Sequence, residues 1–305
     1  MATATMVAAP ANPAMLDRSI ILHLRTGMLG SVAKVDSEIV DTDADKDRFK
    51  VTKDILDSAE LKAISKHDGS VRSWVRAVSL PADFLGASKY LIPLQLVEEV
   101  MHRLDEYRQT REGLIEKFLT AYPDLVERAR VELKGQFDEA DYPTAAQARK
   151  AFTYQRNLLT FSTPTALKTL SQGLFEREAK RMADTVQNAV ANIEALLFDQ
   201  MKKLLDHMVD RLTPGEDGKP KRFASKMVDG FGEVLELLSK RASVIDNEPL
   251  MVLLQETGSV LKGVDAKTIR DSESVRASVT TAFTDIAARL DAAVIDQPKR
   301  FFGTD

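Results

Sequence analysis

Several groups of residues in this chain have types and spacings that could do chemistry. Asp41, Asp43, Asp45 and Asp47 alternate with other residues in the way that opens a calcium-binding loop. Such a loop needs a sharp-turn glycine at its sixth position and a bidentate glutamate at its twelfth. Those places hold Lys46 and Thr52, so a solvated acidic loop is expected instead. Pro123-Asp124 followed by Glu132-Leu-Lys134 matches the PD…ExK pattern of many nucleases, in which carboxylates hold a divalent metal and the lysine helps activate water. That pattern is normally displayed on strands, whereas these residues fall within a helical spacing. An exposed helix face is expected, and a metal-dependent hydrolase survives only if a third carboxylate joins Asp124 and Glu132.

The other chemical signatures fail more directly. His23, His67, His102 and His207 are far apart, and none stands in a metal-ligand spacing. The chain has no cysteine, which removes disulfides, thiolate sites and cysteine nucleophiles. Pro214-Gly-Glu-Asp-Gly-Lys219 lacks the spacing of a phosphate-binding loop, and no G-x-S-x-G elbow occurs. No catalytic, cofactor-binding or metal-binding residue is therefore assigned, and no cofactor is expected. Two basic segments beside aromatics remain: Lys219, Lys221 and Arg222 before Phe223, and Lys299 and Arg300 before Phe301 and Phe302. Basic residues interleaved with aromatics can hold single-stranded nucleic acid through phosphate contacts and stacking. A soluble loop and an anchored tail are the plainer readings.

The element that dominates the sequence is an apolar stripe within a proline-free stretch from Leu167 to Leu212. Val186, Val190, Ile193, Leu197, Met201, Leu204 and Met208 follow one another in steps of four, three, four, four, three and four. Only an α-helix places such residues on one face. Six steps over 22 residues average about 3.67, the spacing of a nearly straight or weakly right-handed packing rather than of a strict heptad. The stripe is a candidate interaction surface, for self-association or a protein partner; packing against the last three helices would bury it equally well.

Other elements follow from the same periodicities. Ser19–Arg25 reads as a strand or the start of a buried helix, and Thr153–Phe161 as a second strand able to pair near Ile21. Helical spacing runs through Val51, Ile55, Leu61 and Ile64 and stops near His67-Asp68-Gly69; a second helix follows from Ser70 through Trp74 to Val78. Pro93 suits the first turn of the next helix, and Pro123 should end or kink it. Thr144 with Gln147 forms a capping box. Thr163 can cap and Pro164 begin the long helix, with Gly173 as a break near its start. Thr213–Arg222 is a loop, and helical stretches follow over 227–238, 249–261 and 275–294.

Composition agrees with this reading. Of 305 residues, 44% are hydrophobic, 29% charged and 6% aromatic, which favours helices packed on helices. A net charge of −4 is too small to imply a polyionic partner. No apolar run suits a bilayer, and Met1 to Met15 lacks the features of a secretory signal, so no membrane association and a cytoplasmic location are expected. The expected fold is mainly α, an elongated helical bundle with one very long helix and a small two-stranded β element in the N-terminal half. Its divisions are a tail over 1–15, a mixed and mostly helical part over 16–162, an all-helical part over 163–296 and a tail over 297–305.

Three segments in order carry a family resemblance: Ser73-Trp-Val-Arg-Ala-Val-Ser-Leu-Pro81, Ala121-Tyr-Pro-Asp-Leu-Val126 and Phe137-Asp-Glu-Ala-Asp-Tyr-Pro143. Over about Ile20 to Leu212 the chain resembles an uncharacterised helix-rich family, a domain of unknown function, from tailed phages, prophages and mobile elements. The resemblance implies a cytoplasmic protein of an infected or element-carrying bacterium, with a ring-forming AAA+ ATPase and a von Willebrand A-like protein as neighbours. It carries no catalytic residues. The leading expectation is thus a non-enzymatic interaction or scaffold protein. A nucleic-acid-binding accessory in phage replication or recombination is the alternative, and a metal-dependent hydrolase the second.

Overall fold

The computed structural model describes residues 14–35, 43–45, 48, 50–162, 165–215, 221 and 225–295. Its elements in chain order are α1 (Ala14–Asp17), β1 (Ser19–Thr26), β2 (Val32–Val35), β3 (Val51–Asp54), α2 (Ala59–Val78), β4 (Lys89–Pro93), α3 (Val97–Leu133), α4 (Ala145–Ala151), β5 (Tyr154–Leu159), α5 (Leu167–Leu170), α6 (Gln172–Leu212), α7 (Ser225–Ala242), α8 (Glu248–Val260), α9 (Ala266–Asp271) and α10 (Glu273–Ile295). The fold is mainly α, with a very long helix, as the periodicity implied. β2 and β3 form a small antiparallel pair in register Val32↔Asp54 to Val35↔Val51. A second sheet has the order β4-β1-β5, so the strands read near Ile21 and in 153–161 are neighbours.

The chain divides into two interleaved compact units. The first comprises residues 1–21, 78–96 and 159–305; the second comprises 22–77 and 97–158. Residues 78–96 thus belong with the C-terminal helices across a long sequence separation.

In the first unit, α6 supplies the core. Ser171 accepts a hydrogen bond from Leu174 N at 3.3 Å, capping the helix, which then runs 41 residues, about 60 Å at 1.5 Å per residue. Val186, Ile193, Leu197, Met201 and Met208 are buried against residues of α7, α8 and α10, including Phe231, Leu253, Phe283 and Leu290. Each such side chain contributes about 1.5–3 kcal/mol on burial. Asn247 caps α8 by accepting from Leu250 N at 2.9 Å, and Asp265 caps α9 by accepting from Thr268 N at 2.7 Å. Between them Gly263 takes φ +77°, a left-handed conformation that favours glycine.

In the second unit, α2, α3 and α4 enclose Leu61, Ile64, Ile115, Phe118, Tyr122, Leu125, Ala148 and Phe152. The expected capping box is present: Thr144 N donates to Gln147 Oε1 at 2.9 Å and Gln147 N to Thr144 Oγ1 at 3.4 Å.

Several local expectations give way to tertiary structure. Val51 opens strand β3 rather than a helix, and α2 passes through His67-Asp68-Gly69 without a stop. Asp68 does not cap there, because its carboxylate points into the core onto Arg111. α3 continues through Pro123, since buried Phe118, Tyr122 and Leu125 lie on both sides of it and hold the backbone helical. Pro93 ends β4 instead of opening α3. The break before the long helix falls at Ser171 rather than Gly173, while Thr163 and Pro164 lie outside the described residues.

Candidate functional site

The most unusual chemistry lies inside the second unit, where two charged side chains occupy core positions. Asp68 is 3% exposed and follows the apolar phase of α2, between Leu61 and Ile64 on one side and Val71 and Val75 on the other. Arg111 is 1% exposed and falls in the phase of Val100, Leu104, Ile115 and Phe118 on α3. Their helices bring them together: Arg111 Nε donates to Asp68 Oδ1 at 2.8 Å and Nη2 to Asp68 Oδ2 at 3.1 Å. Nη2 also donates to the Gly27 carbonyl at 2.6 Å, just beyond β1.

Gly27 is fixed from its other side. Its N–H donates to Thr153 O at 2.9 Å, and a Cβ there would stand 2.5 Å from Thr153 Oγ1 and 2.9 Å from Ala151 O. No larger residue fits that approach. One buried ion pair therefore ties α2, α3 and the turn after β1, while Gly27 joins that turn to the chain entering β5. Arg111 Nη1 remains buried without a hydrogen-bond partner. Both carboxylate oxygens of Asp68 accept from the guanidinium, so the pair is built to hold elements together.

Beside this tie, His67 Nε2 lies 2.9 Å from Tyr107 O, and Trp74 and Tyr107 pack with centroids 5.8 Å apart. The Arg103 guanidinium stands over both rings, 5.7 Å from the Trp74 centroid and 5.8 Å from that of Tyr107. These contacts cap the α2–α3 seam.

The first unit also buries an arginine, with different company. Arg241 of α7 is 5% exposed, and its Nη1 donates to Gln200 Oε1 of α6 at 2.6 Å. Its Nε is buried without a partner, and burial pushes the guanidinium below its ordinary pKa.

Three clefts lie in the first unit, of which the two between α8 and α10 are shallow and mostly apolar. Two neighbouring hollows between α8 and α10, of about 550 and 500 Å³, share Val252. Another of about 330 Å³ is lined by Phe84, Phe161 and Met182 with Glu178 and Arg181. Glu178 and Arg181 are bonded to each other, as are Glu256 and Arg289 in the α8–α10 cleft. Those four groups are paired across their rims, while Glu248 at the end of the α8–α10 cleft has no ion pair among the described residues.

The sequence-derived candidates are placed as follows. Of the stripe, Val186, Ile193, Leu197, Met201 and Met208 are buried inside the first unit, and Val190 and Leu204 pack partly buried against the same core. The stripe is thus occupied by the chain's own helices. Asp124 and Glu132 are exposed on α3 eight residues apart, about 12 Å along the axis, too far to share a metal ion. Among the described residues no group of three or more potential ligands converges. Lys221 Nζ bonds Asp210 Oδ1 at 2.6 Å, while Lys219, Arg222, Lys299 and Arg300 lie outside the described residues. Asp43 and Asp45 are exposed; Asp41 and Asp47 lie outside the described residues. No helix of the described residues is long and apolar enough to cross a membrane.

Sequence reasoning missed the Asp68–Arg111 pair and Arg241. The signal was there: each stands at a position where the helical period demands an apolar residue.

Compared with known protein families, with curated proteins and with solved structures, the chain matches none.

Proposed function

We propose that this protein is a non-enzymatic interaction or scaffold component, of the kind carried by tailed phages and mobile elements. The observation that carries the reading is the use of the buried ionisable groups. Asp68, Arg111 and Arg241 each bond across elements, and none is among the residues lining the three clefts described above. Polar groups committed in this way supply rigidity and specificity of packing. The long helices fit the same role. α3 and α6 each spend one face on a core and keep a mixed-charge face outside, exemplified on α6 by Lys203 with Asp199 and on α3 by Arg130 with Glu127. Rigid faces with both signs of charge suit recognition by another protein, with the AAA+ ATPase class as the partner the resemblance implies.

A nucleic-acid-binding role gains nothing from the Lys221–Asp210 pair, which sets a carboxylate beside the cation. A tagged pull-down from the native host, with and without nuclease treatment and read by mass spectrometry, tests the reading. Protein partners that survive nuclease are the expected result. Loss of every partner on nuclease treatment overturns it in favour of the nucleic-acid role.

A further inference from the structure

The outer face of α2 carries charge of one sign. Beyond the first turn its exposed positions hold four cations (Lys62, Lys66, Arg72 and Arg76), three serines and Ala77, and no acid. The carboxylate in that stretch belongs to Asp68, which is turned inward onto Arg111. The tie that fastens the second unit thus also removes the counter-charge from the surface of α2. At 3.6 residues per turn the cations fall within an arc of about 120°, away from buried Ile64, Val71 and Val75. From Lys62 to Arg76 they run about 21 Å along the axis. Lys62 is paired with Asp57 at the entry to the helix. Lys66 has no ion pair among the described residues, and Arg72 Nη1 donates to the neutral Thr26 Oγ1 at 3.2 Å. The chain as a whole carries −4, so this face stands against the sign of its background.

We propose that this face lies along the phosphate backbone of duplex DNA, with the four cations set against phosphates and the serines between them. Charge complementarity selects the partner. A duplex presents one negative charge per about 1.7 Å of its axis, a continuous match for a straight row of cations. Serine hydroxyls donate to phosphate oxygens, and such short side chains let the backbones approach. A single strand is disfavoured, because it binds through open aromatic platforms. Trp74 and Tyr107, the aromatics at the α2–α3 seam, pack on each other under the Arg103 guanidinium instead. A membrane surface is disfavoured as well: an interfacial helix sets large apolar side chains beside its cations, and this face has Ala77 alone. The inference goes beyond the scaffold role, giving a protein that holds a protein partner a DNA contact in addition.

Fluorescence anisotropy of the purified full chain with a labelled, mixed-sequence DNA duplex over a range of salt is the test. The parent should bind, its affinity falling with salt by a log–log slope of about 0.9 per phosphate contacted. Lys66→Ser combined with Arg72→Ser should weaken binding about tenfold at low salt and reduce that slope by about 2. Arg130→Ser combined with Lys203→Ser removes the same charge from two exposed cations elsewhere, each paired with a carboxylate of its own helix. That control should leave binding within about twofold of the parent. Ser73→Glu keeps every cation, sets a carboxylate at an exposed position within the face, and should weaken binding several-fold. Absence of binding by the parent overturns the proposal, as do equal losses in the two double variants. Tighter binding of single-stranded DNA, phosphatidylserine vesicles or polyglutamate overturns it too, each naming a different occupant. The purified chain is tested alone, so failure here leaves the survival of protein partners after nuclease as a separate result.

Discussion

The two units each bury an arginine, and they handle its charge in opposite ways. In the second unit Arg111 meets Asp68 in a two-point ion pair and also donates to the Gly27 carbonyl, so three elements converge on one cation. In the first unit the side chain of Arg241 meets the neutral amide of Gln200 and, among the described residues, no carboxylate, and burial lowers its pKa. The first unit gains its stability from the apolar face of α6. The second adds a charged fastening, and that fastening fails badly when one half is removed.

The largest expected effect breaks the fastening. Asp68→Ala leaves Arg111 buried and unpaired, and should destabilise the second unit by about 3–5 kcal/mol in denaturant titration. The double change Asp68→Leu with Arg111→Met should recover most of that loss, because paired removal leaves no stranded charge. A double variant as unstable as the single one would refute this account. Next comes the apolar counterpart in the first unit. Ile193→Ala, at a position wholly buried on α6, should cost about 2–5 kcal/mol through lost burial and a cavity.

Smaller effects sharpen the contrast. Thr144→Ala should cost about 1 kcal/mol by removing the cap of α4, with no effect on the first unit's transition. Arg241→Met should fall within about 1 kcal/mol of the parent. It loses the bond to Gln200 and also the cost of burying an uncompensated cation. A loss as large as that of Asp68→Ala would show that the two arginines are fastened alike. The smallest effect is electrostatic and exposed. Hydrogen bonds from the Thr268 side chain and backbone hold the Asp265 carboxyl below its ordinary value. A depressed folded pKa contributes stability above the unfolded value near pH ~4 and loses it as pH falls through the folded one. An NMR titration of Asp265 should therefore show a midpoint below the ordinary aspartate range.

How far the sequence could be read depended on the distance over which each feature is decided. The capping box at Thr144 and Gln147 was legible because four consecutive residues make it. The stripe from Val186 to Met208 was legible because a helix writes its buried face into its own period. β4 and α9 were missed, being short elements held by neighbours remote in sequence. The apparent stop at His67-Asp68-Gly69 misled for a related reason: an acid beside a glycine normally ends a helix, and only Arg111, 43 residues on, explains why this one continues.

The sequence by itself determined that the chain is mainly helical, that one helix is very long and which face of it is apolar, because these depend on spacing within a single segment. The tertiary structure decided what covers that face, which charged residues are interior and how residues 78–96 join the C-terminal helices. Those outcomes rest on contacts between segments far apart in the chain. Burial energy rewards any apolar partner alike, so a local pattern shows that a face must be covered and leaves open by what.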